Sequence, residues 1–199
     1  MILMRNKVFE TVQKCYDIIE GSVWFWMILI KNLFVYGWVE AFSQVVSYFD
    51  KGGSNCLTFK QHLKEQRNEQ RRIPHEKALS FLLTFMLGIW FLLTFMLSKN
   101  QTENFVIQFF EIVSTLLLVF YISYLLMTIA LNLANAAQSK NLLIIAFLTV
   151  CKKPLISMSF VACIILAVII GRLNPVILLF IIPGLCAFAI QKLSKNLIK

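Results

Sequence analysis

Long apolar runs alternate with short polar joints along this chain, and the runs are longer than the strands or core helices of an ordinary soluble domain. Backbone N–H and C=O groups must be paired inside hydrocarbon, so apolar runs of this length are expected to form spanning helices. The pattern therefore predicts an all-α, multi-pass transmembrane helical bundle, with residues 1–199 forming a single membrane domain. About five spans are expected, at residues 22–38, 78–97, 105–132, 155–170 and 176–190.

Polar or short segments connect these spans and predict interfacial helices. Residues 1–21 carry apolar side chains at helical spacing between charges, which predicts an amphipathic helix in the membrane interface. A second apolar stripe, within residues 38–49, is expected to continue the first span along the membrane surface. Residues 57–73 are polar and basic, and they predict a cytoplasmic helix that ends at Pro74. Residues 142–151 would be about 15 Å long as a helix, too short to span, so they are expected to be interfacial or re-entrant.

The Lys and Arg residues predict the orientation of the spans. With five spans, 13 of the 19 cations fall on one side and five on the other, and Lys31 lies within the first span. Because cytoplasmic loops carry the excess of cations, the C-terminus and the large basic loop are expected in the cytoplasm and the N-terminus outside. If the first span is instead re-entrant, the N-terminus is inside and the other spans keep their orientation.

The composition agrees with a membrane protein, because 15% of the residues are charged and soluble domains are about 25% charged. The net charge of +9 comes from cations in loops beside spans, which favours anionic lipid headgroups over nucleic acid as the partner. The five cysteines show no CxxC spacing and are interpreted as reduced thiols. The predicted contacts with headgroups or a partner protein are Lys60, Lys64, Arg67, Arg71, Arg72, Lys152 and Lys153.

Two ionisable residues lie within predicted spans. Lys31 is near the middle of the first span and Glu111 is near the start of the third, where a charge at the span centre costs roughly 3 kcal/mol. Their expected depths differ by about 4 to 5 Å, so we hypothesise an ion pair between spans one and three. A pair that only fixes packing, or independent snorkelling of each side chain, is the simpler alternative to proton or solute coupling.

Pro183 and Gly184 predict a helix break in the last span. Pro183 has no N–H group, so the carbonyl of Leu179 loses its helical partner. A freed carbonyl at this depth can bind an ion or a polar solute. More often, neighbouring helices repair the loss and only a kink remains.

The sequence contains no recognisable catalytic or metal-binding constellation. His62 and His75 flank the basic segment without Cys or carboxylate partners at metal-ligand spacing. No nucleophile is paired with a base, and no Gly-rich phosphate loop is present. The chain is therefore expected to be non-enzymatic, with no cofactor and no metal.

The order of these segments resembles the YesL-like family of small bacterial integral membrane proteins. The similarity lies in the interfacial N-terminal helix, the basic helix that contains Thr58-Phe59-Lys60 and Lys64, and a final span with the sequence IIPGLCAFAIQK. The resemblance implies a bacterial plasma-membrane protein linked to carbohydrate uptake, and it supplies no catalytic residues.

Two hypotheses for the function follow from this reading. In the first, the chain is a non-enzymatic accessory that contacts a membrane transporter or sensor subunit through its basic loops. In the second, it is a small secondary transporter or channel that acts as a homo-oligomer and uses Lys31, Glu111 and the break at Pro183.

Overall fold

The computed structural model describes residues 2–50, 73–99, 105–133, 141–153 and 174–197, together with scattered positions between 155 and 169. These residues form helices and contain no β-strand, which confirms the all-α prediction for the part of the chain described. The helices are α1 (Ile2–Lys31), α2 (Trp38–Asp50), α3 (Glu76–Lys99), α4 (Phe105–Leu133), α5 (Leu142–Lys152), α6 (Pro175–Phe180) and α7 (Ile182–Leu197).

Two of the described helices are long and apolar enough to cross a membrane, and they are α3 and α4. They lie where the spans at 78–97 and 105–132 were predicted. The five-span arrangement is not confirmed, because most of residues 155–170 lie outside the described residues and 176–190 is divided between α6 and α7. The basic segment 57–73 also lies outside the described residues, except for its last residue, Ile73, which is buried.

The predicted first span, residues 22–38, is not one helix. Residues 2–31 form the continuous helix α1, about 45 Å long, so the predicted interfacial segment and the start of the span belong to the same helix. The chain then turns: the N–H of Phe34 donates to the carbonyl of Leu29 at 2.9 Å, and the N–H of Leu33 donates to that of Ile30 at 3.0 Å. This pair of bonds is a Schellman motif, which ends a helix.

The turn requires left-handed backbone at two bulky residues. Leu33 has φ 54° and Phe34 has φ 60°. A helix end of this kind usually carries Gly, so Leu at this position gives no turn signal in the sequence. The helix therefore ends seven residues earlier than the apolar pattern indicates.

After the turn, α2 runs back along α1 to form a helical hairpin. The Tyr48 hydroxyl donates to Glu20 Oε2 at 2.9 Å, and Gly21 faces the side chains of Val45 and Phe49. The stripe expected on the membrane surface is instead in the protein core, because Val45, Val46 and Phe49 are all buried. Apolar residues recur every three or four positions whether the helix face contacts lipid or another helix, so this pattern alone does not distinguish the two environments.

The helices α3 and α4 form a second, antiparallel hairpin. Trp90 Nε1 donates to Thr115 Oγ1 at 3.0 Å, and the Tyr121 hydroxyl donates to the Leu79 carbonyl at 2.8 Å. The second half of α4 is largely buried, where it contacts α2, α5 and α7. The first half of α4 and nearly all of α3 leave large apolar side chains exposed.

Two hydrogen bonds attach this second hairpin to the first. The N–H of Val39 donates to Ser80 Oγ at 3.0 Å, and Thr84 Oγ1 donates to the Val35 carbonyl at 3.1 Å. The first bond satisfies an N–H group in the first turn of α2, and the second satisfies the Val35 carbonyl in the turn between α1 and α2. The position of the α1–α2 turn therefore fixes where α3 begins to pack.

The substitution Leu33→Gly is expected to stabilise the protein. It removes the cost of a left-handed Leu, about 1 kcal/mol, and the lost side chain is 76% exposed. Thermal unfolding in detergent should show a midpoint roughly 2 to 4 °C higher. The control is Leu33→Ala, which removes the same side chain but keeps Cβ, and it should give no increase. Equal midpoints for the two variants would contradict the backbone explanation.

Candidate functional site

The predicted helix break is present and lies against α1. Helix α6 ends at Phe180, α7 begins at Ile182, and Pro183 is buried. The carbonyl of Leu179, which Pro183 deprives of a helical donor, accepts a hydrogen bond of 2.7 Å from Trp26 Nε1. The freed carbonyl therefore has a protein partner in this structure.

Gly184 makes the closest approach between α7 and α1. Its N–H donates to Ser22 Oγ at 2.8 Å, and the Ser22 hydroxyl donates to the Ile18 carbonyl at 2.9 Å. A Cβ atom at Gly184 would overlap the Ile18 carbonyl and lie 2.8 Å from Ser22 Oγ. Small residues permit this kind of contact between membrane helices, where packing and hydrogen bonds replace hydrophobic attraction.

We call this contact the α1–α7 junction, and it comprises Ile18, Ser22, Trp26, Leu179 and Gly184. The N–H of Gly184 belongs to the first turn of α7, whose N–H groups have no partner within the helix. Ser22 supplies that partner and is itself fully buried. The junction therefore pairs one orphan donor and one orphan acceptor at the break, and its hydrogen bonds stabilise packing.

The structure does not bring Lys31 and Glu111 together. Lys31 is exposed at the end of α1, next to the turn whose Val35 carbonyl contacts Thr84. Glu111 contacts Thr94, which lies ten residues farther along α3, on the order of 15 Å. The estimate from sequence placed the two at similar depths because it counted inward from Ser22 and Phe105 as the outer ends of two spans, whereas Ser22 lies within the continuous helix α1.

Glu111 instead takes part in a hydrogen-bonded group between α3 and α4. Its Oε1 atom lies 3.3 Å from Thr94 Oγ1. Its backbone carbonyl accepts from Thr115 Oγ1 at 2.7 Å, and that hydroxyl also accepts from Trp90 Nε1. These contacts join the two helices near the ends that residues 100–104 connect.

A polar group at the start of α2 was not identified from the sequence. The Glu40 carboxylate accepts from Asn32 Nδ2 at 3.1 Å and from Gln44 Nε2 at 2.9 Å. Glu40 lies in the first turn of α2, where the positive end of the helix dipole stabilises an anion. An acidic residue in the first turn of a helix can be recognised from sequence as a sign of a helix start. The pairing of Glu40 with Asn32 could not be, because it depends on the turn between α1 and α2.

Of the seven predicted headgroup or partner contacts, two lie among the residues that the structure describes and five do not. Lys152 and Lys153 are exposed at the end of α5, as expected for groups that meet headgroups or a partner. Lys60, Lys64, Arg67, Arg71 and Arg72 lie outside the described residues. Within the described part of the chain, no group of three or more His, Cys, Asp or Glu side chains is arranged to hold a metal ion.

Trp26→Phe is expected to lower the unfolding midpoint, since it removes the donor to Leu179 and leaves a carbonyl without a partner, at a cost of about 1 to 3 kcal/mol. Pro183→Ala restores a backbone N–H that can bond the same carbonyl. The effect of Trp26→Phe should therefore be at most half as large in the Pro183→Ala background, measured as a double-mutant cycle of thermal unfolding. Equal effects in both backgrounds would show that Trp26 acts through packing alone.

Gly184→Ala is expected to destabilise the protein by about 1 to 3 kcal/mol, because the added methyl group overpacks the α1–α7 junction. Gly88 is the matched control, since a Cβ atom there meets nothing within 4 Å. Gly88→Ala should leave the midpoint unchanged or raise it, as Ala favours a helix over Gly by about 1 kcal/mol. Similar losses for both variants, measured by thermal unfolding in the same detergent, would refute the close approach at Gly184.

Comparison with known proteins gives no relative from which a role can be transferred. No protein-family model matches the chain. No curated protein and no solved structure matches it either. The resemblance to the YesL-like family therefore stays a prediction.

Proposed function

We propose that this chain is a multi-pass plasma-membrane protein that acts as a non-enzymatic accessory of a membrane complex. The membrane location rests on the exposure of α3, because only 11% of its most apolar 18-residue stretch is buried in the protein. The core helix of a soluble protein passes the same test of length and composition, but it is mostly buried. The apolar surface that α3 and the first half of α4 expose is too large to face water, and contact with lipid would shield it.

We further propose that both ends of the chain lie in the cytoplasm, with the α1–α2 hairpin entering the membrane and returning to the same side. The antiparallel contacts between α1 and α2 support this, since the end of α2 lies beside Glu20 and Gly21 and α2 thus runs back toward the side from which α1 enters. The α1–α7 junction shows that the α6–α7 segment runs antiparallel to α1, because Ser22 pairs with Gly184 and the later residue Trp26 pairs with the earlier residue Leu179. The end of α7 therefore points to the same side of the membrane as the start of α1.

The distribution of cations favours this orientation. Arg5, Lys7 and Lys14 move to the cytoplasmic side, so 16 of the 19 cations are inside. Lys99 and Arg172 remain outside, and Lys31 lies at the turn of the re-entrant hairpin. The bias is stronger than the 13 against five of the five-span arrangement, in the direction that the positive-inside rule requires.

The polar side chains of the spans support an accessory role over transport. Thr94, Ser114, Thr115, Ser123 and Thr128 all donate to backbone carbonyls of their own helices. Such local bonds satisfy hydroxyl groups in a packed bundle, whereas a solute path needs polar groups that face a shared cavity. The transport hypothesis also needs Lys31 and Glu111 to act together, and they lie far apart.

The orientation is tested by labelling single cysteines in a cysteine-free background of the full chain. A membrane-impermeant maleimide applied to intact cells should label Lys99→Cys. It should label Lys14→Cys and Lys192→Cys only after the membrane is opened. Labelling of Lys14→Cys in intact cells would place the N-terminus outside and contradict the re-entrant hairpin.

The accessory role is tested by purifying the tagged protein from its native membrane in mild detergent. We expect a transporter or sensor subunit to co-purify in fixed proportion, and a sugar-uptake subunit would support the link that the YesL-like resemblance implies. Charge-neutral variants of Lys152 and Lys153 should lower the yield of that subunit without changing the unfolding midpoint. Recovery of the chain alone, with solute flux in liposomes, would overturn the accessory role.

A further inference from the structure

An apolar stripe on α1 remains exposed along the side that faces away from α2 and α7. Phe9, Val12, Tyr16 and Ile19 are 68%, 62%, 57% and 44% exposed. Their spacing of three or four residues puts them on one face of the helix. Val23, Met27 and Ile30 continue the same face toward the turn, and they too are exposed.

Most acidic side chains of α1 face the protein, whereas the cations near its start are not balanced by nearby acids. Asp17 is buried, and Glu20 is half-buried and accepts from the Tyr48 hydroxyl, so two of the three acids of α1 are turned into the protein. Lys14 is exposed on the opposite side of the helix from the stripe. Within residues 2–16, three cations (Arg5, Lys7 and Lys14) stand against a single acid, Glu10.

We propose that the first half of α1 is a membrane anchor that passes obliquely through the headgroup layer of anionic lipid, in line with the second half of the same helix, with its stripe in the acyl boundary. An amphipathic helix with an apolar face, cations and few exposed acids has the chemistry that this boundary binds. The continuity of the stripe also favours lipid over a soluble partner. Val23, Met27 and Ile30 belong to the hairpin that enters the bilayer under the proposed function, on which this inference rests.

The test uses the full chain without its native cysteines, reconstituted in vesicles of phosphatidylcholine and phosphatidylglycerol. Spin labels are placed on the stripe at Val12→Cys, Tyr16→Cys and Ile19→Cys, and on the opposite side at Lys14→Cys. Collision rates with oxygen, which concentrates in lipid, and with a water-soluble nickel complex then report the environment of each label. The stripe labels should favour oxygen over nickel at least threefold more than the Lys14→Cys label does.

Lipid charge provides the second measurement. Replacing phosphatidylglycerol with phosphatidylcholine should raise nickel access to the stripe labels at least twofold, since the cations lose their anionic partners. The combined substitutions Arg5→Gln, Lys7→Gln and Lys14→Gln should have the same effect in the original vesicles. No change in either experiment would refute the role of anionic lipid.

Two other outcomes would overturn the anchor. Preferential access of nickel to all three stripe labels would show that the stripe faces water. Spin–spin broadening that disappears on dilution with unlabelled protein would show that a second copy of the chain covers it. A label at Phe85→Cys, on the exposed face of α3, separates this inference from the proposed function. Preferential nickel access at Phe85→Cys would refute membrane embedding itself. Preferential oxygen access at Phe85→Cys together with preferential nickel access at Val12→Cys would refute only the anchor.

Discussion

The fold depends first on the turn that follows Lys31. Because Leu33 and Phe34 adopt left-handed backbone, α1 ends and α2 returns along it, so that the apolar stripe of α2 meets a helix and becomes buried. The resulting pair presents a continuous surface to α7 and to the second half of α4. A straight continuation would leave one long amphipathic helix with no protein core to join.

The second constraint is the close contact of α7 with this hairpin. In the membrane location proposed above, helices gain little from hiding apolar surface against each other, because lipid chains are as apolar as Leu side chains. Gly184 and Ser22 provide what is needed instead, which is backbone proximity and a hydrogen bond. Phe188 adds an edge-to-face ring contact with Phe49 at 5.7 Å, so α7 meets both helices of the hairpin.

The sequence predicts α3 and α4 closely, since each is one continuous apolar run whose length can be read directly from the residues. It does not predict the α1–α2 hairpin, because Leu33 is not a turn-forming residue and the stripe of α2 has the same period whether lipid or protein covers it. The hypothesis that paired Lys31 with Glu111 took Ser22 as the outer end of a span, whereas the structure places Lys31 beside the turn and Glu111 beside Thr94. The break at Pro183 was predictable from the chemistry of proline, whereas its partner Trp26 was not, since nothing local to either residue indicates a contact 153 residues apart.

That separation has a consequence for biogenesis. Trp26 leaves the ribosome long before Leu179, so the N-terminal hairpin exists as a nascent structure while the last helices are still being translated. Until α6 and α7 reach it, the carbonyl of Leu179 lacks the donor that Trp26 supplies, at a cost of about 1 to 3 kcal/mol. Packing of the last helices thus depends on a finished hairpin, because the partner of Leu179 lies 153 residues earlier in the chain.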